Sequence, residues 1–346
     1  MTSILEQEIH EQPAVLRRLL TEGWVAAERA AARIRERAPC FIVLVARGSS
    51  DNAARYGQYL FGAANRLPVA LATPSLFTLY SSPPRLESSL VLAVSQSGRS
   101  PDIVTVVEEG RRQGALTLAL TNDPASPLAA AAEEVLPLQA GPERSVAATK
   151  TYTASLVALA LLSALLAGDE ARLAELEAVP DWVTQALAVA PAARAAADRY
   201  REMEVCAVLS RGYNYATAFE IALKLKELAG IIAEPYSSAD FQHGPVALVE
   251  RGFPVLAVVP QGPLETELTG FLGDLRARGA ELLVISALEG SLALAQTPLR
   301  LPEGVPEWLS PVVAVVPGQV LALELAQVRG LDPDHPRGLR KVTLTR

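Results

Sequence analysis

The stretch FIVLVARGSSDNAARYGQYLF, residues 41–61, decides the fold. Residues 41–46 form a short continuous apolar run, which reads as a strand; Arg47, Gly48, Ser49, Ser50 and Asp51 then make a polar turn, and residues 53–61 return to helical periodicity. Strand, turn and helix follow in that order. The order recurs with an apolar run at 69–73, with 90–94 before Ser95 and a helical pattern at 102–113, and with 116–120 before Thr121. Such alternation predicts a parallel sheet covered by helices on both faces.

After a charged, Ala-rich helical segment at 169–201, punctuated by Pro180 and Pro191, the alternation begins again. Strands are expected at 205–210, 254–259 and 282–286, and helices at 214–228, 266–278 and 313–328. The two halves also match locally. ARGSSDNAARYGQYLF from Ala46 aligns without gaps on SRGYNYATAFEIALKL from Ser210, with Arg, Gly and Ala in register. Two copies of one doubly wound α/β unit account for both observations. The expected organisation is an N-terminal helical arm at 1–38, interrupted at Pro13, a first domain at 39–168, a helical connector at 169–201, a second domain at 202–330 and a tail at 331–346.

Composition is consistent with this plan. A chain of 346 residues, half of them hydrophobic, can fill two cores of about 150 residues each. A net charge of -7 and a pI near 5.2 argue against a generic nucleic-acid or acidic-membrane surface. Two cysteines, Cys40 and Cys206, are too few for an extracellular disulfide framework, so a cytoplasmic setting is expected. The N-terminus lacks the basic start, apolar middle and cleavage site of a signal peptide. The longest clean apolar run, 154–167, falls short of the roughly 18 to 20 residues that span a bilayer and reads as a buried helix.

In open parallel sheets ligands lie at the carboxyl ends of the strands, near the point where strand order reverses. Ser95, Gln96, Ser97, Gly98, Arg99 and Ser100 stand at such an end, before a helix that begins near Pro101. Hydroxyls and backbone amides at a helix N-terminus make an anion cradle suited to a phosphate monoester. Serine is also a preferred helix cap, which would leave nothing bound. Ser49 and Ser50, at the end of the earlier strand, supply a second hydroxyl-rich turn and favour the cradle. No Walker pattern, GxGxxG fingerprint or metal-spaced His/Cys set occurs, and no metal or cofactor is expected.

A second stretch, ALKLKELAGIIAEPYSSADFQHGP at 222–245, carries Lys224 and Glu227 on one helical face and His243 in a loop before Gly244 and Pro245. A carboxylate and an imidazole exchange protons readily near neutral pH. By themselves these residues read as a surface ion pair and a loop histidine bonded to backbone. His10 lies in the arm and His335 in the tail, neither near a recognisable pocket. The small residues of AGPERSVAATKTYT, 140–153, would let backbone approach a ligand or cap a helix, and Lys341 reads as a solvated lysine.

RGSS at Arg47, SQSG at Ser95, SVAATK at Ser145, EIALKLKE at Glu220, AEPYSSADFQHGP at Ala233 and DPDHPRGLRKVT at Asp332 stand in an order that resembles the sugar isomerase (SIS) family. Within it, the chain is most similar to the isomerase part of glucosamine 6-phosphate synthase. The resemblance implies two flavodoxin-like SIS domains and a homodimer in which a loop histidine completes the neighbouring subunit's site. It implies that Ser50, Ser95, Gln96, Ser97 and Ser100 bind phosphate and sugar, with Val146 in the loop that touches the sugar. Glu227 would move a proton between C1 and C2, Lys224 would be a pocket lysine, His243 would open the sugar ring, and Lys341 would meet the open-chain sugar.

Departures from the synthase also carry meaning. The chain begins Met1, Thr2, Ser3 directly before the isomerase arm, so no glutaminase domain is expected. Ser145 stands for the usual Gly, Ala148 for the usual Ser, and Arg99 and Ser100 for an acidic residue and Thr. The ending PRGLRKVT is closer to stand-alone SIS deaminases and isomerases of amino sugars than to PRNLAKSVT. The expected activity is conversion of glucosamine 6-phosphate to fructose 6-phosphate and ammonia, without metal or cofactor. An aldose-ketose isomerase, a fructosamine-type deglycase, a subunit fed by a separate glutaminase and a non-catalytic phosphosugar-binding protein are the alternatives. The expected partners are a phosphorylated sugar or amino sugar and a second copy, with no nucleic acid and no membrane.

Overall fold

The structure, a computed structural model, describes residues 2–341. The chain divides into two compact units. One comprises Ala14–Glu143, Lys150–Ala178 and the chain from Arg340; the other comprises the chain through Pro13, Arg144–Thr149 and Val179–Leu339.

The first of these units is built on strands β1 (Phe41–Val45), β2 (Val69–Leu71), β3 (Ser89–Ser95), β4 (Leu116–Thr121) and β5 (Glu134–Pro137), all parallel, in the order β2-β1-β3-β4-β5. Val43 pairs with Ala70 on one side and Val91 on the other. The central strands are apolar almost end to end because both faces are covered. Val43, Val45, Val91 and Ala93 pack with Ile103, Val106 and Val107 of the helix Pro101–Arg112. Leu44 points the other way. A Cβ built on Gly57, in the helix Ser49–Asn65, would lie 3.0 Å from Leu44 Cδ1 and 3.7 Å from Leu159 Cδ1 of the helix Lys150–Ala167, so the missing side chain lets these elements close up.

The second unit repeats the plan. Strands β6 (Val205–Ser210), β7 (Ile232–Ser237), β8 (Pro254–Val259), β9 (Glu281–Ser286) and β10 (Thr297–Arg300) are parallel in the order β10-β9-β8-β6-β7. Numbered within each sheet, both read 2-1-3-4-5, the flavodoxin-like arrangement with its switch point between the first and third strands. Leu209, Val255, Ala257 and Leu282 form a core with Leu268, Phe271, Leu272 and Leu275 of the helix Glu265–Ala277. The helix Ser310–Val328 packs so closely on the helix Tyr215–Ala229 that a Cβ on Gly318 would stand 2.4 Å from Ile221 Cγ1. The helices Lys150–Ala167 and Glu307–Val328 are long and apolar enough to cross a membrane by composition, yet 83% and 100% of them are buried within the protein. They are core helices, as apolarity around the whole circumference requires of a helix in a large fold.

Three strands escape the periodicity argument: β5, β7 and β10. Each is an edge strand and each contains a proline, Pro137, Pro235 or Pro298, a residue tolerated where one side of the backbone needs no ladder partner. The arm also breaks in a different place from the expected one. The helix Ile4–Glu22 runs straight through Pro13, and the interruption falls at Gly23, before the helix Trp24–Arg37. Pro13 has no amide to give to the Ile9 carbonyl. Gln12 Nε2 donates to that oxygen instead, at 2.9 Å, and also to Gln319 Oε1 at 2.9 Å. The connector is three helices, Glu170–Glu177, Val179–Leu187 and Ala190–Arg199.

Candidate functional site

At the first sheet's switch point the chain leaves β1 through Gly48, whose φ of 56° favours a residue without Cβ, and enters the helix Ser49–Asn65. Ser50 lies in the first turn of that helix, half-buried, with no hydrogen bond from its hydroxyl among the described residues. The neighbouring strand β3 ends at Ser95. Ser95 Oγ accepts the Gly98 amide at 3.1 Å, Ser97 Oγ accepts the Arg99 amide at 3.3 Å, and the Gln96 carbonyl accepts the Asn122 amide at 3.1 Å. Arg47 Nε bonds Asp102 Oδ2 at 2.8 Å and so links the two turns. Ser50, Ser95, Gln96, Ser97 and Ser100 therefore share one end of one sheet, facing the N-termini of two helices.

Ser100 does not act as a side-chain cap. It occupies the cap position of the helix Pro101–Arg112, but its side chain accepts no bond from that helix. Beside this turn the Asp51 carboxyl is pushed above its ordinary range by burial, against the opposing pull of Arg55.

In the same unit Lys341 is partly buried and paired rather than freely solvated. Its ammonium lies 2.6 Å from Glu143 Oε2. Glu143, with a fully buried side chain, also accepts the Thr151 amide at 3.1 Å and the Thr151 hydroxyl at 2.8 Å, so it ties the lysine to the start of the long buried helix.

The second unit repeats the first turn but not the third. Gly212 has φ of 64°, and Arg211 Nη1 bonds Glu267 Oε2 at 2.7 Å, echoing Gly48 and the Arg47–Asp102 pair. The turn after β8, Pro260-Gln261-Gly262-Pro263, carries no hydroxyl. Glu307 stands against it: a Cβ on Gly262 would come 3.0 Å from Glu307 Oε2, and burial raises that carboxyl's pKa.

A cluster of ionisable side chains lies instead on the helix Tyr215–Ala229. Lys224 is fully buried, with Nζ 2.5 Å from Glu227 Oε2 and 3.4 Å from Glu220 Oε1. Glu220 is buried as well, and the surface ion pair read from the residues alone is thus a core cluster. A buried ammonium persists only with partners of opposite charge held close. Glu227 alone of the three reaches solvent, at 23% side-chain exposure. It lines an open cleft of about 550 Å3 together with Lys226, Gly230, Arg329, Leu331, Asp332, His335 and Arg337. The tail histidine, placed away from any pocket by the sequence, belongs to this cleft.

His243 is not in it. The residue is exposed, at the end of the short helix Ser238–Gln242; its amide donates to the Asp240 carbonyl at 3.1 Å, while its imidazole makes no hydrogen bond among the described residues. Val146 is half-buried in the segment Arg144–Thr149. That segment is held by Glu8, a buried residue of the first helix, whose carboxylate accepts the amides of Arg144 at 2.5 Å and Ser145 at 3.2 Å and lies against the Ser145 hydroxyl.

The sequence reading missed Glu8, Glu143 and Glu220. Glu220 had a usable signal, one helical turn before Lys224. Glu8 and Glu143 had none, because Arg144 lies 136 positions from Glu8 and Lys341 lies 198 from Glu143.

Two doubly wound sheets, a hydroxyl-rich switch-point turn and a carboxylate-lysine cluster opening on a cleft define an α/β protein of two flavodoxin-like domains. The SIS domain matches twice, over residues 40–165 and 205–329, and the chain belongs to the SIS family. It is 37% identical over 353 aligned positions to an isomerizing glutamine-fructose-6-phosphate aminotransferase of Thermus thermophilus, covering 97% of this chain and 58% of that protein. The chain thus spans little more than half the length of this curated relative. Among solved structures, a candidate phosphosugar isomerase from Silicibacter pomeroyi DSS-3 is 38% identical with a TM-score of 0.87, covering 96% of this chain and 100% of that one. The C-terminal domain of glucosamine-fructose-6-phosphate aminotransferase from Francisella tularensis is 28% identical with a TM-score of 0.89, covering 97% and 99%.

Proposed function

We propose that the chain is an amino-sugar phosphate deaminase and isomerase that converts glucosamine 6-phosphate to fructose 6-phosphate and ammonia. The observation that carries this reading is the buried Lys224 between Glu220 and Glu227, with Glu227 alone opening on the cleft. A proton carrier needs a carboxylate that is both positioned and accessible, and the lysine positions this one without blocking it. The hydroxyls of Ser50, Ser95, Ser97 and Ser100, with Gln96, bind the phosphate and sugar, Val146 contacts the sugar, and Lys341 meets its open-chain form. His243, exposed on its own chain, assists ring opening in the site of a second copy. Glu227 then takes the C2 proton while the C1 oxygen gains a proton, giving the enolamine, and returns its proton to C1 as the nitrogen gives up one of its own; water hydrolyses the resulting C2 imine. The carbonyl or imine beside C2 acidifies the proton, so this transfer asks for a base and no cofactor.

The test is release of ammonia from glucosamine 6-phosphate by purified protein, with Glu227→Gln as control. No ammonia, or an unchanged rate in Glu227→Gln, sinks the proposal. A second reading, aldose-ketose isomerisation of a phosphosugar without loss of nitrogen, is favoured by the likeness to the Silicibacter protein. Turnover of non-amino hexose phosphates without ammonia would establish it.

A further inference from the structure

The tail brings one imidazole to the Glu227 cleft, and a carboxylate holds it there. His335 Nδ1 lies 3.0 Å from Asp332 Oδ2. The other oxygen of Asp332 accepts the amides of Asp334 at 2.9 Å and His335 at 3.3 Å, so the carboxylate is fixed on three sides. The Asp334 amide and the His335 ring hold the Asp332 carboxyl below its ordinary range, and it stays ionised. A carboxylate on Nδ1 selects the tautomer that leaves Nε2 as the basic nitrogen. The tail is itself clipped down: Asp334 accepts the amides of Ile4 at 2.9 Å and Leu5 at 2.8 Å, at the start of the first helix. The other charged groups lining the cleft are Lys226, Glu227, Arg329 and Arg337. Lys226 is paired with Glu234 at 3.2 Å, and Arg329 donates to the Ala229 carbonyl at 2.7 Å. Glu227, held by Lys224, is the C1/C2 proton carrier of the reading above. His335 is thus a second group of this cleft able to exchange a proton with solvent or ligand.

We propose that His335, steadied by Asp332, is a second catalytic residue of this cleft and carries the protons of the step in which nitrogen leaves. The inference rests on the deaminase reading above. Once Glu227 has returned its proton to C1, the sugar is an imine at C2. Water adds to C2, the C=N pair moves to nitrogen, and His335 Nε2 takes a proton from the water and gives it to that nitrogen. In the carbinolamine so formed, Nε2 takes the remaining hydroxyl proton as the carbonyl forms, and passes it to nitrogen as the C–N bond breaks. Ammonia departs, and the imidazole ends neutral, as it began.

The experiment compares two readouts on the purified full chain with glucosamine 6-phosphate in deuterated buffer: washout of the C2 hydrogen, which reports Glu227, and ammonia release. General acid-base groups contribute typically about 10²- to 10⁴-fold. His335→Gln is expected to slow ammonia release by about a hundredfold while C2 exchange stays within a few-fold of wild type, with Asp332→Asn in between and its pH-rate profile displaced. Equal loss of exchange and release in His335→Gln would mean the tail merely shapes the cleft, and unchanged ammonia release would remove His335 from the chemistry; either overturns the inference while leaving the deaminase reading intact. A wild-type protein inert in both readouts overturns both together.

Discussion

Replacing Gly98 with alanine probes the shape of the hydroxyl turn that ends β3. Gly98 has φ of 62°, and a Cβ there would lie 2.1 Å from Ser126 Oγ, 2.5 Å from Ser126 Cβ and 3.0 Å from Thr121 Oγ1. The left-handed backbone costs an L residue roughly 1–2 kcal/mol. Overpacking a closed site adds about 1–3 kcal/mol. Ser126 has little room to yield, being buried, with its Oγ accepting the Ala129 amide at 3.3 Å, while the Leu128 amide donates to the Gly98 carbonyl at 3.1 Å. The turn itself must therefore move, and with it the hydroxyls of Ser95 and Ser97. The sum, about 2–5 kcal/mol, is a large share of the roughly 5–15 kcal/mol that holds a domain folded. Urea unfolding should show this loss, and calorimetry should show a weaker affinity for fructose 6-phosphate. In a Ser126→Gly background both clashing atoms of Ser126 vanish, the cap loses only a few tenths of a kcal/mol, and the cost of Gly98→Ala should fall toward the backbone contribution. A cost for Gly98→Ala within about 0.5 kcal/mol of zero, or the same cost in both backgrounds, would refute the argument.

Lys224→Met should destabilise the second unit by about 3–5 kcal/mol, because it strands the buried Glu220 carboxylate beside Glu227; thermal or urea unfolding reads the loss, and a change under 1 kcal/mol or so would show the cluster to be better solvated than its burial indicates. Carboxyl titrations by NMR should find Asp332 below and Asp51 above the ordinary value of 3.8. The stability contributed by Asp332 is then complete above 3.8 and lost as pH falls through its lower folded value, whereas that contributed by Asp51 is complete below 3.8 and lost as pH rises through its higher one. Mixing inactive His243→Ala with inactive Glu227→Gln protein should restore part of the ammonia-releasing activity if His243 serves a second copy's site, and no recovery after subunit exchange would place His243 outside the shared chemistry.

The alternation of apolar strand, polar turn and helix was legible because it is written at short range. The strands β1, β3, β4, β6, β8 and β9 lie inside their sheets or are covered on both faces, so their apolar runs are continuous and bounded by turns. The edge strands β5, β7 and β10 were not legible, since a proline and a half-exposed face erase the same signal. That the serine-rich ends of β1 and β3 stand at one end of one sheet was legible from their place in the alternation. The environment of the charges could not. Lys224 spaced three residues from Glu227 looks the same on a surface helix and in a core, and only the packing of other elements around the helix Tyr215–Ala229 decides that it is buried. Likewise Glu8 finds the Ser145 segment, Glu143 finds Lys341, and His335 reaches the Glu227 cleft across stretches of chain for which helical and strand periods carry no information. Local periodicity fixes which elements form, because backbone hydrogen bonds and apolar faces repeat within a few residues. Which charges meet, and which are buried, depends on how distant elements dock, and that belongs to the tertiary structure alone.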